Sequence, residues 1–162
     1  MANILIAGCG YVGTELAVRL RDADHTVWCI RRSIEKLPDG VEPLQGDLSD
    51  PNTIPALPEQ LDYAVYSAGA GGFEEAKYRA AYVEGPKNVV AALEKAGVEP
   101  KRFVFTSSTG VYHQTSGVWV DESSTTAPDS FSGAILLEGE RYVLARPFDS
   151  YVVRFGGIYG PD

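Results

Sequence analysis

Cysteine is scarce in this chain. Of 162 residues only Cys9 and Cys29 carry a thiol, and no C-x-x-C or metal-ligand spacing exists. That scarcity argues against a disulfide scaffold or a zinc module, and no metal site is expected; reduced thiols in a cytoplasm are the simple reading. Long apolar runs are missing too: none approaches the ~20 residues of a membrane-spanning helix. Basic charge is in the minority, with 14 Lys and Arg against 22 Asp and Glu and a net charge of −8. Such a chain has no global attraction to nucleic acid or anionic lipid, so neither is expected as a partner. No internal repeat, low-complexity tract or linker is visible. The opening, "MANILIAGCG", has no basic leader and meets Gly8 too early for a signal peptide. It reads as a first strand.

What remains is ordinary for a folded domain: 44% hydrophobic and 22% charged residues, in a length that buries one sizeable core. Strand-like runs cover Asn3–Ala7, Thr26–Ile30, Val41–Leu44, Tyr63–Ser67, Arg102–Thr106 and Tyr151–Phe155. Most are continuously apolar rather than alternating, as strands covered on both faces are. Helical stripes lie between them: Val12, Leu16, Leu20 and Ala23; then Val83, Val90 and Leu93, with Gly85–Pro86 as a kink or a fresh start; then residues 132–145. The stretch "DLSDPNTIPALPEQ" is broken by proline and holds at most a short turn of helix. This alternation predicts an α/β fold, a doubly wound parallel sheet of Rossmann type with helices on both faces. Residues 1–162 are expected to form one dinucleotide-binding domain. The closing "SYVVRFGGIYGPD" ends on a strand and a Gly-rich turn, so a C-terminal substrate lobe is expected to follow.

"ILIAGCGYVGTEL" places Gly8, Gly10 and Gly13 as G-x-G-x-x-G between the first strand and the first helix, with Tyr11 and Val12 inside the motif. In that context the pattern is a dinucleotide-binding loop: glycines permit the tight turn and backbone approach, and the helix N-terminus faces a pyrophosphate. An NAD site usually carries an acidic residue about 20 positions on. Here Arg31 and Arg32 occupy the end of the second strand. A guanidinium pairs bidentately with a 2′-phosphate, whereas a carboxylate repels one. NADP(H) is therefore favoured over NAD(H).

Several ordered segments resemble the extended short-chain dehydrogenase/reductases, the NAD(P)-dependent epimerase/dehydratase group. These are "QGDLSD", "YSAGAGG", "YVEGPKNVVAALEKAGV", "KRFVFTSSTGVY", "VDESSTTAP" and "VVRFGGIYGP". The resemblance implies that Asp47 and Leu48 lie against the adenine and that Ala68, Gly69 and Ala70 pass beside the cofactor. Ser107 joins the cofactor set. Ser108, four before Tyr112, falls where the catalytic serine belongs, and Gly85 and Asn88 match the long-helix signature. It also implies a small-molecule substrate, such as a nucleotide-sugar, and dimerisation through helices that include 132–145.

The departures are specific. Ala7 stands where the group usually has its first loop glycine, Tyr82 replaces an Asn, and His113 replaces a Gly. The group's Tyr-x-x-x-Lys pair, its proton donor and the lysine that tunes it, would fall within "SGAILLEGE". Gly133, Leu137 and Glu140 match that frame, but Ser132 takes the tyrosine position and Leu136 the lysine position. Sliding by one gives Phe131 and Ile135. A serine is a far weaker acid than a phenol, and leucine offers no cation. Three readings follow. An atypical oxidoreductase or isomerase uses substitutes: Ser108 polarises a carbonyl, unless it only caps its strand end, and Tyr112, His113 or Glu138 moves a proton. Alternatively the chain binds NADP(H) without turnover, as a sensor or scaffold. In the third reading, a further lobe supplies the catalytic groups.

Overall fold

The computed structural model describes residues 1–114 and 116–160. Six strands form one parallel sheet in the order β3-β2-β1-β4-β5-β6. They are β1 (Asn3–Ala7), β2 (Thr26–Arg31), β3 (Glu42–Gln45), β4 (Tyr63–Tyr66), β5 (Arg102–Ser108) and β6 (Ser150–Phe155). Helices α1 (Tyr11–Asp22), α2 (Glu75–Arg79), α3 (Gly85–Lys95) and α4 (Phe131–Leu144) lie between them. The expected Rossmann architecture is thus present, and no helix follows β3 in the Pro-broken stretch before β4. Among the described residues, no helix is long and apolar enough to cross a membrane.

The apolar runs of the central strands lie between two packed layers, whereas the edge strands β3 and β6 stay largely open. On one face Leu5, Ala7, Ile30, Tyr66, Phe103 and Phe105 pack with Val89, Val90 and Leu93 of α3 and Val143 of α4. On the other, Ile4, Ile6, Val27 and Cys29 pack with Ala17 of α1. The stripe expected on α1 is displaced. Its buried centre is Gly13 and Ala17, with Leu16 and Leu20 only flanking and Ala23 exposed. Small residues let the helix axis approach the sheet, and a Cβ on Gly13 would strike the carbonyl of Gly8.

The second stripe is present: Val83, Val90 and Leu93 are buried. Of the two alternatives at Gly85–Pro86, a kink or a fresh start, α3 makes no fresh start. It continues from α2 through a π-helical turn, Ala80–Glu84. Pairing i→i+5 alters the normal ladder, a feature frequent at functional sites. The buried Tyr66 hydroxyl donates to the Ala81 carbonyl in that turn at 2.5 Å. Gly85 leaves room for it, since a Cβ there would run into the Tyr66 hydroxyl. Gly139 of α4 in turn packs on the Tyr82 carbonyl.

At the amino ends of the central strands, Asp62 accepts from the Asn3 N–H at 2.9 Å and from Lys101 Nζ at 2.8 Å, tying β1 to the segment before β5. The Lys101 hydrogen bond, then that of Asn3, holds its carboxyl below the usual carboxylate range. With the folded-state pKa depressed, this tie stabilises above the unfolded pKa and is lost as the pH falls through the folded one. Asp62→Asn is therefore expected to lower the unfolding midpoint at neutral pH and to match wild type at the acid end of the profile. Urea titrations across pH test this; a constant difference down to acid would refute the ionic origin.

Candidate functional site

The strand order reverses between β1 and β4, and there, beyond the carboxyl ends of the strands, lies a cavity of about 580 Å³. Open α/β sheets bind ligands at such switch points. One wall is the loop Gly8–Gly10, and facing it is the segment Ser67–Gly71 after β4. Gly8 has φ +98°, and a Cβ on it would lie 2.5 Å from the Ala68 backbone nitrogen. Only glycine suits both the conformation and the closeness. Gly10 precedes α1 without a capping side chain, and the first turn of α1 carries no acidic residue. The helix thus presents amide donors and its positive dipole end to the loop, which suits an anion.

The end of β2 forms the next wall. Arg31, Arg32, Ser33 and Lys36 line it, followed by Gly46, Asp47, Leu48 and Ser49. Four cations, Arg31, Arg32, Lys36 and Lys77, therefore line the cavity against the single carboxylate of Asp47, in a chain whose net charge is −8. Such local concentration focuses an attractive field on a polyanion. Asp47 is already engaged. Its carboxylate accepts from the Ser49 hydroxyl at 2.7 Å and the Ser49 N–H at 2.9 Å, which hold it below the usual range. Arg32 reaches it only at 3.9 Å. From α3, Asn88 donates to the Leu48 carbonyl at 2.8 Å and fixes this turn. Cys9 also lines the cavity, its thiol pushed up by the adjacent Cys29 and by burial, so it is an inert group there.

Sequence reasoning missed Ser33, Lys36 and Lys77. "RRSIEK" did carry a signal, since a short 3₁₀ turn over Ile34–Lys36 follows the two arginines. Lys77 had none, because α2 was not foreseen. Conversely, several expected residues do not line this cavity. Tyr11, Val12 and Gly13 lie in the first turn of α1. The buried Ser107 hydroxyl donates instead to Glu140 at 2.6 Å.

The expected reaction end sits where β5 meets α4. A Cβ on Gly133 would strike the Gly110 carbonyl, so the turn after Ser108 packs directly on the start of α4. Ser108 Oγ accepts from the Gly110 N–H at 3.1 Å, capping a 3₁₀ turn over Thr109–Val111. That bond leaves the hydroxyl's own proton available. Tyr112 is more committed: its hydroxyl donates to the Asp121 carbonyl at 2.9 Å and accepts from Arg154 at 2.8 Å. Arg154 also lies 5.0 Å from the ring centroid and makes two bonds, of 3.0 and 2.7 Å, to the buried Glu140. Ser132 Oγ sits 3.1 Å from Ser130 Oγ, which caps α4 by accepting from the Gly133 N–H. Leu136 is buried with Val111 and Leu137, under Tyr78, Tyr82 and Tyr112. The two motif positions thus hold a hydroxyl in a helix cap and a core leucine. Glu138 pairs with Arg79 at 3.0 Å on the surface, and His113 is exposed. No group of three His, Cys, Asp or Glu among the described residues is placed to hold a metal.

Residues 4–161 match the NAD dependent epimerase/dehydratase family. The chain belongs to that family. It is 30% identical over 175 residues to the 3 beta-hydroxysteroid dehydrogenase/Delta 5→4-isomerase of Mycobacterium tuberculosis, covering 97% of this chain and 47% of that protein. An epimerase/dehydratase-type structure from Methylobacillus flagellatus superposes with a TM-score of 0.81 at 39% identity, over 99% of this chain and 56% of that one. MoeE5 in complex with UDP-glucose and NAD aligns with a TM-score of 0.73 at 26% identity, over 93% of this chain and 52% of that one. The chain spans about half the length of these relatives. The family's dinucleotide fits what this cavity offers. The missing Cβ at Gly8, the uncapped start of α1 and the cationic end of β2 each suit a phosphate-bearing ligand.

Proposed function

We propose that this chain is the NADP(H)-binding half of an epimerase/dehydratase-type oxidoreductase or isomerase, acting on a nucleotide-sugar or small carbonyl substrate. The observation that carries the cofactor preference is the end of β2: Arg31, Arg32, Ser33 and Lys36 line the cavity where a 2′-hydroxyl reader would need a carboxylate. When bound, the nicotinamide supplies hydride transfer. The chain's own residues do the rest. The Gly8–Gly10 loop and the start of α1 hold the pyrophosphate, Asp47 and Leu48 border the adenine, and Ala68–Ala70 pass beside the cofactor. The Ser108 proton is free to polarise a carbonyl, while Tyr112 is held as a strut. A further segment would supply the substrate lobe and the proton donor, in line with the roughly double length of the relatives. Among those relatives are a steroid dehydrogenase/isomerase and a protein in complex with UDP-glucose, which supports a carbonyl or a nucleotide-sugar substrate.

A second reading is favoured by Ser132 and Leu136: a domain that binds NADP(H) and turns nothing over, as a sensor or scaffold. Calorimetric titration with NADPH and NADH tests the cofactor assignment. NADPH is expected to bind more tightly; equal affinities, or none, would overturn it. The full-length protein incubated with NADPH, nucleotide-sugars and small ketones then separates the readings. Substrate-dependent loss of NADPH absorbance supports the enzyme, and tight binding without turnover supports the sensor.

A further inference from the structure

The cations of the cavity come from two separate parts of the fold. Arg31, Arg32 and Lys36 follow β2, on one flank of β1. Lys77 comes from α2, which follows β4 on the other flank, and the Gly8–Gly10 loop lies between. The lysine's approach is built into the loop before it. Gly72 has no side chain, and a Cβ there would lie 3.1 Å from Lys77 Nζ and 3.2 Å from its Cδ. The lysine stem therefore lies across the glycine and along the cavity wall.

Its resting partner is Glu74, at 2.6 Å, with side chains 47% and 65% exposed. An ion pair so open to water contributes little, so an incoming anion displaces the carboxylate at small cost. Resting on the proposed NADP(H) site, a dinucleotide with its 2′-phosphate at Arg31, Arg32 and Lys36 runs across the glycine loop and presents its second anionic group, the pyrophosphate, toward the Lys77 side. We propose that Lys77 is a cofactor-binding residue that exchanges Glu74 for the pyrophosphate and closes over it from the wall opposite the loop. Two separate cationic contacts then read the two anionic groups of one ligand.

The test uses two probes, NADP⁺ and adenosine 2′-phosphate, which has the 2′-phosphate but no pyrophosphate. Lys77→Met is expected to weaken NADP⁺ binding about tenfold or more. Binding of adenosine 2′-phosphate should stay within about twofold, because that probe has no pyrophosphate for Lys77 to hold and an exposed charge acting only through the field is weakened by water and salt. Lys77→Arg keeps the charge and should restore most of the NADP⁺ affinity, which also controls for folding. Unchanged NADP⁺ binding in Lys77→Met overturns the assignment and leaves the cofactor site standing. Equal weakening of both probes overturns it too, since Lys77 would then act only through the general field. If the wild-type protein binds neither probe, the cofactor site itself fails and this contact with it.

Discussion

Arg154→Leu is expected to lower the unfolding free energy by about 3–5 kcal/mol, the usual cost of stranding one partner of a buried ion pair. Glu140 is 1% exposed, and its carboxylate accepts two bonds from Arg154 and one from Ser107. Without the guanidinium the charge keeps the Ser107 hydroxyl as its remaining side-chain donor. Glu140→Gln should cost less, because the Arg154 side chain is 20% exposed and water can reach it. Replacing both, Arg154→Leu with Glu140→Met, should recover much of the loss, since a well-packed apolar pair often matches a buried salt bridge. Arg154 also donates to Tyr112, which holds the Asp121 carbonyl, so the loop between the 3₁₀ turn and α4 should loosen as well. Urea unfolding of these variants, with Glu140→Met alone to close the double-mutant cycle, measures the coupling. A loss below about 1 kcal/mol for Arg154→Leu would place this network among ordinary surface pairs.

How much of this could be read from the chain depends on the range of the interactions involved. β1, α1 and the glycine loop are local: a continuous apolar run, then φ > 0 at Gly8, then a helix. Their chemistry is written in consecutive residues. The centre of the α1 contact face was misplaced because apolarity pointed to Val12 and Leu20, while close approach depends on the smallness of Gly13 and Ala17. The helix over Glu75–Arg79 was missed for a different reason. The π-helical turn over Ala80–Glu84 inserts an extra residue and shifts the helical phase. The stripe of Val83, Val90 and Leu93 therefore cannot be extended backward at 3.6 residues per turn, and Lys77 went with it. Glu140 could be seen only as a match in a family frame. Its burial depends on Arg154, 14 residues on in β6, and no local pattern announces that pairing. The loss at the Tyr-x-x-x-Lys frame was visible, but what fills it was not. Ser132 belongs to a cap cluster with Ser130, and Leu136 completes a core under three tyrosines.

Arg31→Asp is expected to reverse the cofactor preference. In the proposed site a 2′-phosphate at the end of β2 would meet Arg31, Arg32 and Lys36, which line the cavity there; a charge-assisted bond of this kind is worth about 1.5–3 kcal/mol, or roughly 10- to 150-fold in affinity. The aspartate removes one such bond and adds repulsion, so NADPH should weaken by at least that range. It also supplies an acceptor for a ribose 2′-hydroxyl, so NADH should hold or gain. Arg31 rather than Arg32 is the residue to change. Arg32 is 79% exposed and faces Asp47 at 3.9 Å, so its charge is partly answered within the chain. Arg31 closes β2, where the backbone holds it in register with Gln45 and its carbonyl accepts from the Gly46 N–H at 3.2 Å. A residue in a fixed strand end loses less freedom on binding than one in a loop. The paired experiment is titration of wild type and variant with both nucleotides at two salt concentrations. The NADPH advantage of the wild type should shrink as salt rises, and so should the part of the variant's NADH preference that comes from repulsion of the 2′-phosphate. If Arg31→Asp weakens both nucleotides equally, Arg31 serves the fold or the general field, and the 2′-phosphate must be read elsewhere.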